Sequence, residues 1–259
     1  MPDEAENYVD FNVDYYVHGF GYDQVINDYK VIRYVYIHCE LLSEYPYDDE
    51  EDVDDEEDDE ERTLLHNWLI STDIDPFWEI YSLRSNSWRK LHVDMRYSLE
   101  CVDGTQVYMD GVCHWYCEGY KTIDDKTVEP SLVSFYLNSE EFFVTPIPSY
   151  VDDCFYVKAW WINVAVLNGS IALISYHKET TIFHISILGE FCTKESWTKL
   201  LIVGPLSCVE RPIGVGMKGE IFFIKKDGEL VWLDLSTQMI AELGYKGEAV
   251  HSSEIIIYK

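Results

Sequence analysis

Three segments of the chain share one pattern, in which a glycine is followed by alternating or continuous apolar residues. The segments are 109–117, 167–175 and 217–225. Their glycines, Gly111, Gly169 and Gly219, lie 58 and 50 residues apart. A period of about 40 to 50 residues with several short strands in each unit is typical of β-propeller blades and not of helical repeats. The pattern therefore predicts an all-β, propeller-like array, with these three glycines as structural repeat positions.

A second kind of apolar segment follows each glycine-led segment, and one further copy precedes them all. The copies begin at residues 78, 132, 182 and 230. They are rich in Val, Ile, Tyr, Phe and Trp and are broken by Asn, Ser, Gly and Asp, which favour turns. Each unit is thus predicted to contain a glycine-led strand, a second strand, a polar turn and a further short strand.

The five-residue pattern S-W-x-K-L occurs twice, at 87–91 and 196–200. In the first copy, Ile80, Tyr81 and Leu83 are predicted to form a strand and 84–87 a turn, with Trp88 beginning the next strand. A tryptophan just after such a turn can bury a large apolar area between neighbouring sheets. Trp88 and Trp197 are therefore predicted to be structural residues that pack between blades.

The negative charge is concentrated near the N-terminus. The formal net charge of the chain is −29, and residues 1–62 hold 22 acidic and 3 basic side chains. Thirteen of the fourteen residues from Asp48 to Glu61 are acidic. Such a block repels itself too strongly to pack, so a disordered acidic insertion is expected at about 44–62, with a docking strip for a basic partner or a weak cation site as the alternative. Nucleic acid is not an expected partner, because its phosphates would be repelled.

The remaining composition predicts an intracellular protein. No apolar run approaches the length of a membrane span, and the first ten residues are acidic where a signal peptide would be basic and then apolar. Seven scattered cysteines suit reduced thiols in a reducing compartment. We therefore expect a cytoplasmic or nuclear location and no membrane partner.

Two motifs that suggest chemistry have simpler explanations. Residues 214–219 fit G-x-G-x-x-G, but a strand-like segment follows where a dinucleotide site needs a helix. Cys113, His114 and Cys117 lack a second ligand pair at suitable spacing, and adjacent strand residues point to opposite faces. No nucleophile signature is present either. The sequence thus predicts no catalytic residue, no cofactor and no metal.

Trp160 and Trp161 stand side by side just before a repeat strand. On a strand, at least one of them would pack between blades. In a loop, the pair would be candidate anchors for a protein partner. They are weak candidates, and the protein-binding residues are otherwise unassigned.

Eight phrases of this chain, in their order, resemble the F-box associated domain of plant F-box proteins, including the F-box/kelch-repeat group. They begin at residues 19, 79, 107, 132, 164, 195, 212 and 229. The resemblance divides the chain into an N-terminal tail at 1–16 and a kelch-like β-propeller domain at 17–259. Compared with the family, the sequence is expected to lack both the F-box and the glycine-led unit that usually separates the F-box from this domain. We therefore expect a truncated family member whose ring is incomplete.

The resemblance implies a protein-recognition module and not an enzyme. In the family the F-box docks on the adaptor of a cullin-based (SCF-type) ubiquitin ligase, and the associated domain recruits the protein to be ubiquitinated. Without an F-box, the chain is not expected to join the ligase alone. The alternatives are a propeller enzyme acting on carbohydrate, which a central cluster of carboxylates or histidines would favour, and a nonfunctional truncated copy.

Overall fold

A computed structural model describes residues 8–42, 76–93, 106–118, 129–148, 161–216 and 219–246. Sixteen β-strands account for most of these residues, together with one 3-10 turn at Lys194–Ser196. None of the helices in the described segments is long and apolar enough to span a bilayer. The all-β prediction is confirmed.

The strands form four antiparallel sheets of four strands each, in chain order. Sheet 1 holds β1 (Tyr8–Asp23), β2 (Asp28–Leu42), β3 (Phe77–Ser82) and β4 (Ser87–Lys90). Sheet 2 holds β5 (Val107–Met109), β6 (Val112–Cys117), β7 (Ser131–Tyr136) and β8 (Glu141–Pro146). Sheet 3 holds β9 (Trp161–Leu167), β10 (Ser170–His177), β11 (Ile182–Leu188) and β12 (Trp197–Val203). Sheet 4 holds β13 (Val209–Val215), β14 (Ile221–Lys225), β15 (Glu229–Leu233) and β16 (Ile240–Lys246).

Successive sheets meet through their first strands. Strand β1 contacts β5 and β6, β9 contacts β5 and β6, and β13 contacts β9. The first strand of each sheet is therefore the inner one, and the fourth strand lies at the outer edge, as in a propeller blade. Within the described part of the chain the four sheets form an incomplete propeller-like array and not a closed ring.

The glycine-led segments are the second strands of sheets 2, 3 and 4, namely β6, β10 and β14. Asp110 and Gly111 have φ of 50° and 85°, and Asn168 and Gly169 have φ of 51° and 79°. Two successive positive φ values define the tight turn that matches the twist of a β-hairpin, and Asp-Gly and Asn-Gly are the pairs that adopt it most readily. The repeated glycine is thus a requirement of hairpin geometry.

The boundaries of some predicted segments differ from the structure. Strand β1 begins at Tyr8, so residues 8–16, assigned from the sequence to a tail, pair with the end of β2. Leu83 lies in the turn after β3 and not in the strand, because β3 ends at Ser82. The acidic insertion predicted at about 44–62 lies outside the described residues.

Three apolar clusters fill the spaces between consecutive sheets. The first cluster joins sheets 1 and 2, the second joins sheets 2 and 3, and the third joins sheets 3 and 4. The first contains Trp78 from sheet 1 and Trp115 from sheet 2, with ring centroids 5.8 Å apart. Each interior sheet is therefore apolar on both faces, which explains why β6 and β10 read as continuous apolar runs and not as alternating ones.

Two glycines allow β1 to lie directly against sheet 2. A Cβ atom at Gly19 would stand 2.6 Å from Cβ of Cys113, and one at Gly21 would stand 2.3 Å from the ring of Tyr108. Tyr108 also donates a hydrogen bond to the Tyr22 carbonyl at 2.7 Å. The inner strands of sheets 1 and 2 can approach this closely only where β1 has no side chain.

A buried cation connects the same two sheets. The Lys30 ammonium, on β2, donates to Asp23 Oδ2 at 2.8 Å, to the Leu137 carbonyl at 2.6 Å and to Glu140 Oε1 at 3.2 Å. Burial alone would raise the pKa of Asp23, but the hydrogen bond from Lys30, the amide of Val25 and the Lys30 charge hold that pKa below its usual value. The turn after β7 is thereby fixed to the first hairpin.

We predict that Gly19→Ala lowers the free energy of unfolding by about 2 kcal/mol, the range of overpacking in a tight core. The Cβ of Cys113 cannot rotate away from the added methyl group. Gly111→Ala is the matched control, because its added Cβ meets nothing within 4 Å and only its positive φ is penalised. Urea unfolding of both variants measures the difference. An equal or smaller loss for Gly19→Ala would contradict the close approach of β1 to sheet 2.

We predict that Lys30→Met destabilises the protein by about 3 kcal/mol, because it leaves the Asp23 carboxylate buried without its cation. The matched control is Lys194→Met, which removes the exposed pair of Lys194 with Glu129 at 2.5 Å. That change is expected to cost about 0 to 1 kcal/mol. Both values come from chemical denaturation at neutral pH, and similar losses in the two variants would be inconsistent with a buried bridge between sheets.

Candidate protein-recognition surface

The face of sheet 1 turned away from sheet 2 is the main apolar surface that the described residues leave open. Antiparallel register places Phe20, Val31, Tyr81 and Trp88 side by side across the four strands of this face. We call it the free face. Its exposed apolar side chains are Tyr15, Val17, Phe20, Tyr29, Leu83 and Trp88. An apolar patch of this kind, on a chain otherwise rich in charge, is typical of an interaction surface.

The two tryptophans of the repeated S-W-x-K-L pattern have different environments. Trp197 is 2% exposed and packs in the cluster between sheets 2 and 3. Trp88 is 38% exposed. Trp197, on sheet 3, points toward sheet 2, which precedes it in the chain. Trp88 occupies the same position on sheet 1, and no sheet precedes sheet 1 among the described residues. Trp88 is therefore not enclosed between two of the described sheets, and its packing between blades stays a prediction, although its position in the repeat matches that of Trp197.

A stacked arginine organises the centre of the free face. The Arg33 guanidinium lies 3.6 Å from the ring centroid of Trp88 and 4.1 Å from that of Tyr15. Two of its N–H groups donate to Glu79 Oε2, at 3.0 and 2.7 Å. These contacts hold Arg33 in one orientation. Tyr, Trp and Arg are the residues most enriched among the energetically dominant positions of protein interfaces, so the composition favours protein recognition.

A small groove opens beside this arginine cluster. It has a volume of about 220 Å³ and is lined by Phe20, Tyr29, Val31, Tyr81 and Leu83. Stacking fixes its walls, because the rings of Phe20 and Tyr29 are nearly parallel with centroids 5.8 Å apart. Sites for drug-sized molecules usually have a volume of about 300 to 1,000 Å³, so this groove suits a single side chain better than a small-molecule ligand.

Residues 4–254 match the F-box associated beta propeller domain family. The chain belongs to this family. Two curated relatives, both from Arabidopsis thaliana, are the F-box protein At4g22390 and the F-box protein CPR1. Each is 22% identical to this chain, over 96% and 94% of its length. The matches cover 57% and 55% of those relatives, so the chain spans little more than half of their length.

The remaining residues predicted from the sequence of this F-box associated domain are the two adjacent tryptophans and the third repeat glycine. Trp161 is half-buried at the start of β9 and packs against the cluster between sheets 3 and 4, while Trp160 lies outside the described residues. Gly219 has φ of 86°, and a Cβ there would stand 2.5 Å from Leu167 Cδ2. A binding role for either tryptophan stays a prediction, as does the kelch-type assignment of the repeats.

Sequence reasoning did not identify the free face, although one signal was present. Val13, Tyr15 and Val17 occupy every second position of the sequence, which places them on one face of a strand. Nothing in that pattern tells whether a second sheet covers the face. Arg33 and Glu79 meet across 46 residues, a separation that periodicity cannot detect.

Buried histidines are the strongest titratable candidates for chemistry in the F-box associated domain. His18 is 3% exposed, stands 4.9 and 5.3 Å by ring centroid from Trp78 and Trp115, and has no hydrogen-bond partner for either ring nitrogen among the described residues. His114 stacks on Phe191 and contacts Ser134 Oγ through Nδ1 at 2.9 Å. Burial lowers the pKa of each histidine to about 4. A general base works best with a pKa near the operating pH, so these neutral, solvent-excluded rings are poorly suited to acid–base catalysis.

The described residues contain no group of three or more His, Cys, Asp or Glu side chains that could hold a metal ion. Burial also raises the pKa of the Cys113 thiol to about 12, which keeps it protonated and unreactive. Cys113, His114 and Cys117 have two environments, because Cys113 and Cys117 pack toward sheet 1 while His114 contacts Phe191, which lies between β11 and β12 of sheet 3. The structure therefore separates the three residues that a metal site would bring together.

We predict that stability falls as the pH drops from about 6.5 toward 4, partly because of His18. The folded pKa of His18 is below its unfolded value, so the unfolded chain binds more protons in this window. One such group changes the free energy of unfolding by at most about 1.4 kcal/mol per pH unit. His18→Phe should make this dependence of the free energy of unfolding on pH shallower. Denaturation at a series of pH values tests this, and parallel curves for wild type and His18→Phe would contradict it.

Proposed function

We propose that this chain is the substrate-recognition module of a plant F-box protein, which binds a target protein for ubiquitination by a cullin-based (SCF-type) ubiquitin ligase. The observation that carries the proposal is the family match over residues 4–254. The two relatives that are themselves F-box proteins support it further. In this proposal the adaptor is contacted by an F-box, and the present domain contributes the target site. The cytoplasm or nucleus is the proposed location.

The surface chemistry supports target binding more than catalysis. A rigid sheet presents exposed aromatic side chains around an immobilised arginine, which is the composition of an interface centre. The buried histidines are neutral near physiological pH and enclosed by aromatic rings. No observation specifically favours the carbohydrate enzyme, so we do not propose it.

Affinity capture with two baits tests the proposal. One bait is the 259-residue chain, and the other is the same chain with an F-box segment fused to its N-terminus. We expect mass spectrometry to identify the ligase adaptor and cullin only with the fused bait, and one common target with both baits. In reconstituted ligase, the fused bait should support ubiquitination of that target.

Two results would count against the proposal. Recovery of the adaptor in stoichiometric amounts by the chain alone would remove the need for an F-box. A common partner that the reconstituted ligase does not ubiquitinate would refute the assigned role in target recognition. The fused bait with a disrupted F-box is the matched control, since it retains the recognition domain and should recover the target without the adaptor.

A further inference from the structure

The turn between β9 and β10 consists of two residues, Asn168 and Gly169, which separate the paired residues Leu167 and Ser170. Both turn residues are exposed. The Asn168 side chain forms no hydrogen bond or ion pair with another described residue. A Cβ atom at Gly169 would meet no other atom within 4 Å. The turn is therefore open to water and is not shielded by neighbouring side chains.

An asparagine followed by a glycine can react with its own main chain. The amide nitrogen of the glycine attacks Cγ of the asparagine, a five-membered succinimide ring closes, and Nδ2 leaves as ammonia. Water then opens the ring. Aspartate forms if the bond from the nitrogen to Cγ breaks, and isoaspartate forms if the bond to the main-chain carbonyl carbon breaks. Asparagine and water thus become an acid and ammonia, and no oxidant or metal takes part.

Glycine favours this reaction because it has no side chain to obstruct its nitrogen and its main chain rotates easily. Asn168 is the only asparagine of the sequence that precedes a glycine. Other described asparagines are also held more firmly. Asn27 and Asn86 each accept a hydrogen bond through Oδ1 from a tyrosine of their own hairpin, and Asn163 lies within β9. The structure therefore distinguishes Asn168 from these three residues.

The equivalent turn of sheet 2 indicates which product the hairpin accommodates. Asp110 has φ of 50° there, and Asn168 has φ of 51°, so an aspartate at residue 168 would keep the turn. Isoaspartate instead adds its side-chain methylene to the main chain, which lengthens a loop that must join Leu167 to Ser170. Leu167 Cδ2 lies close to Gly219 of sheet 4. The second product therefore disturbs the contact between sheets 3 and 4.

We propose that Asn168 is a modification site, at which attack by the Gly169 amide nitrogen converts the asparagine spontaneously to aspartate and isoaspartate. Each conversion adds one negative charge to the exposed turn, and isoaspartate also loosens sheet 3 against sheet 4. An isoaspartyl carboxyl methyltransferase is the class of enzyme that would act on the second product, because it esterifies the free carboxylate of isoaspartate. The inference is independent of the proposed function, since it concerns a hairpin and not a partner surface.

Incubation of the complete 259-residue chain in mildly alkaline buffer at physiological temperature tests the proposal. Trypsin releases residues 159–178 as one peptide, which contains both Asn163 and Asn168. We expect tandem mass spectrometry to show conversion of the amide to an acid at Asn168 and none at Asn163. Labelling by an isoaspartyl methyltransferase should distinguish the two products. Equal conversion at the two asparagines, or none at Asn168, would overturn the proposal.

Asn138 is an internal control for the part played by glycine. It is exposed in the turn between β7 and β8 and forms no side-chain hydrogen bond with the described residues, but Ser139 follows it. The same digest should show slower conversion at Asn138 than at Asn168. Similar rates would mean that exposure alone determines the reaction and that the Asn168-Gly169 turn has no special role.

The folded chain must permit the reaction for the site to be meaningful. Ring closure requires Asn168 to leave its turn conformation briefly, and exposed turns open locally at little cost in free energy. We therefore expect the folded chain to react within about tenfold of the rate measured in urea. Conversion that occurs only in the unfolded chain would show that the hairpin protects Asn168, and the proposal would fall.

The variant Asn168→Asp separates the effects of the two products. It places the first product in the turn, so its thermal midpoint should equal that of freshly prepared wild type. Aged wild type enriched in isoaspartate should melt about 2 to 4 °C lower, the usual effect of one weakened contact in a chain of this size. An unchanged midpoint in that fraction would refute the effect on sheets 3 and 4.

Discussion

The contact between sheets 1 and 2 depends on the buried ammonium of Lys30, which meets two carboxylates and one carbonyl from different hairpins. Removing a cation from water is costly, and only the nearby opposite charges compensate it. Gly19 gives the inner strand room to reach that position. Charge and close approach therefore act together, and they set the orientation of sheet 1 relative to sheet 2.

That orientation determines which surface remains available for recognition. Each of the three spaces between sheets is filled by a cluster drawn from both neighbours, so the interior sheets use both faces for stability. Sheet 1 uses one face in this way and presents the other. The stacked rings of Tyr15 and Trp88 around Arg33 lose little conformational freedom on binding, since packing already fixes them. The same rigidity that supports the fold thus favours recognition.

The repeat could be predicted from the sequence because its period, turn residues and apolar runs are local. Asp110-Gly111 and Asn168-Gly169 have the dihedral angles that their sequences suggest. The environment of Trp88 could not be predicted, because the same pattern surrounds Trp197 and only the neighbouring sheet distinguishes them. The bond from Lys30 to the Leu137 carbonyl spans 107 residues, and local patterns carry no information about it. Sequence therefore predicted the architecture well and the candidate surface poorly.

The buried polar groups separate the recognition and enzyme hypotheses. A catalytic site needs titratable groups that reach substrate and exchange protons near neutral pH. His18 and Cys113 are both buried, and burial shifts each toward its neutral form. The free face instead exposes aromatic rings around Arg33, which Glu79 holds in place. Interactions of this kind are common in protein interfaces, which agrees with the recognition role proposed for the domain.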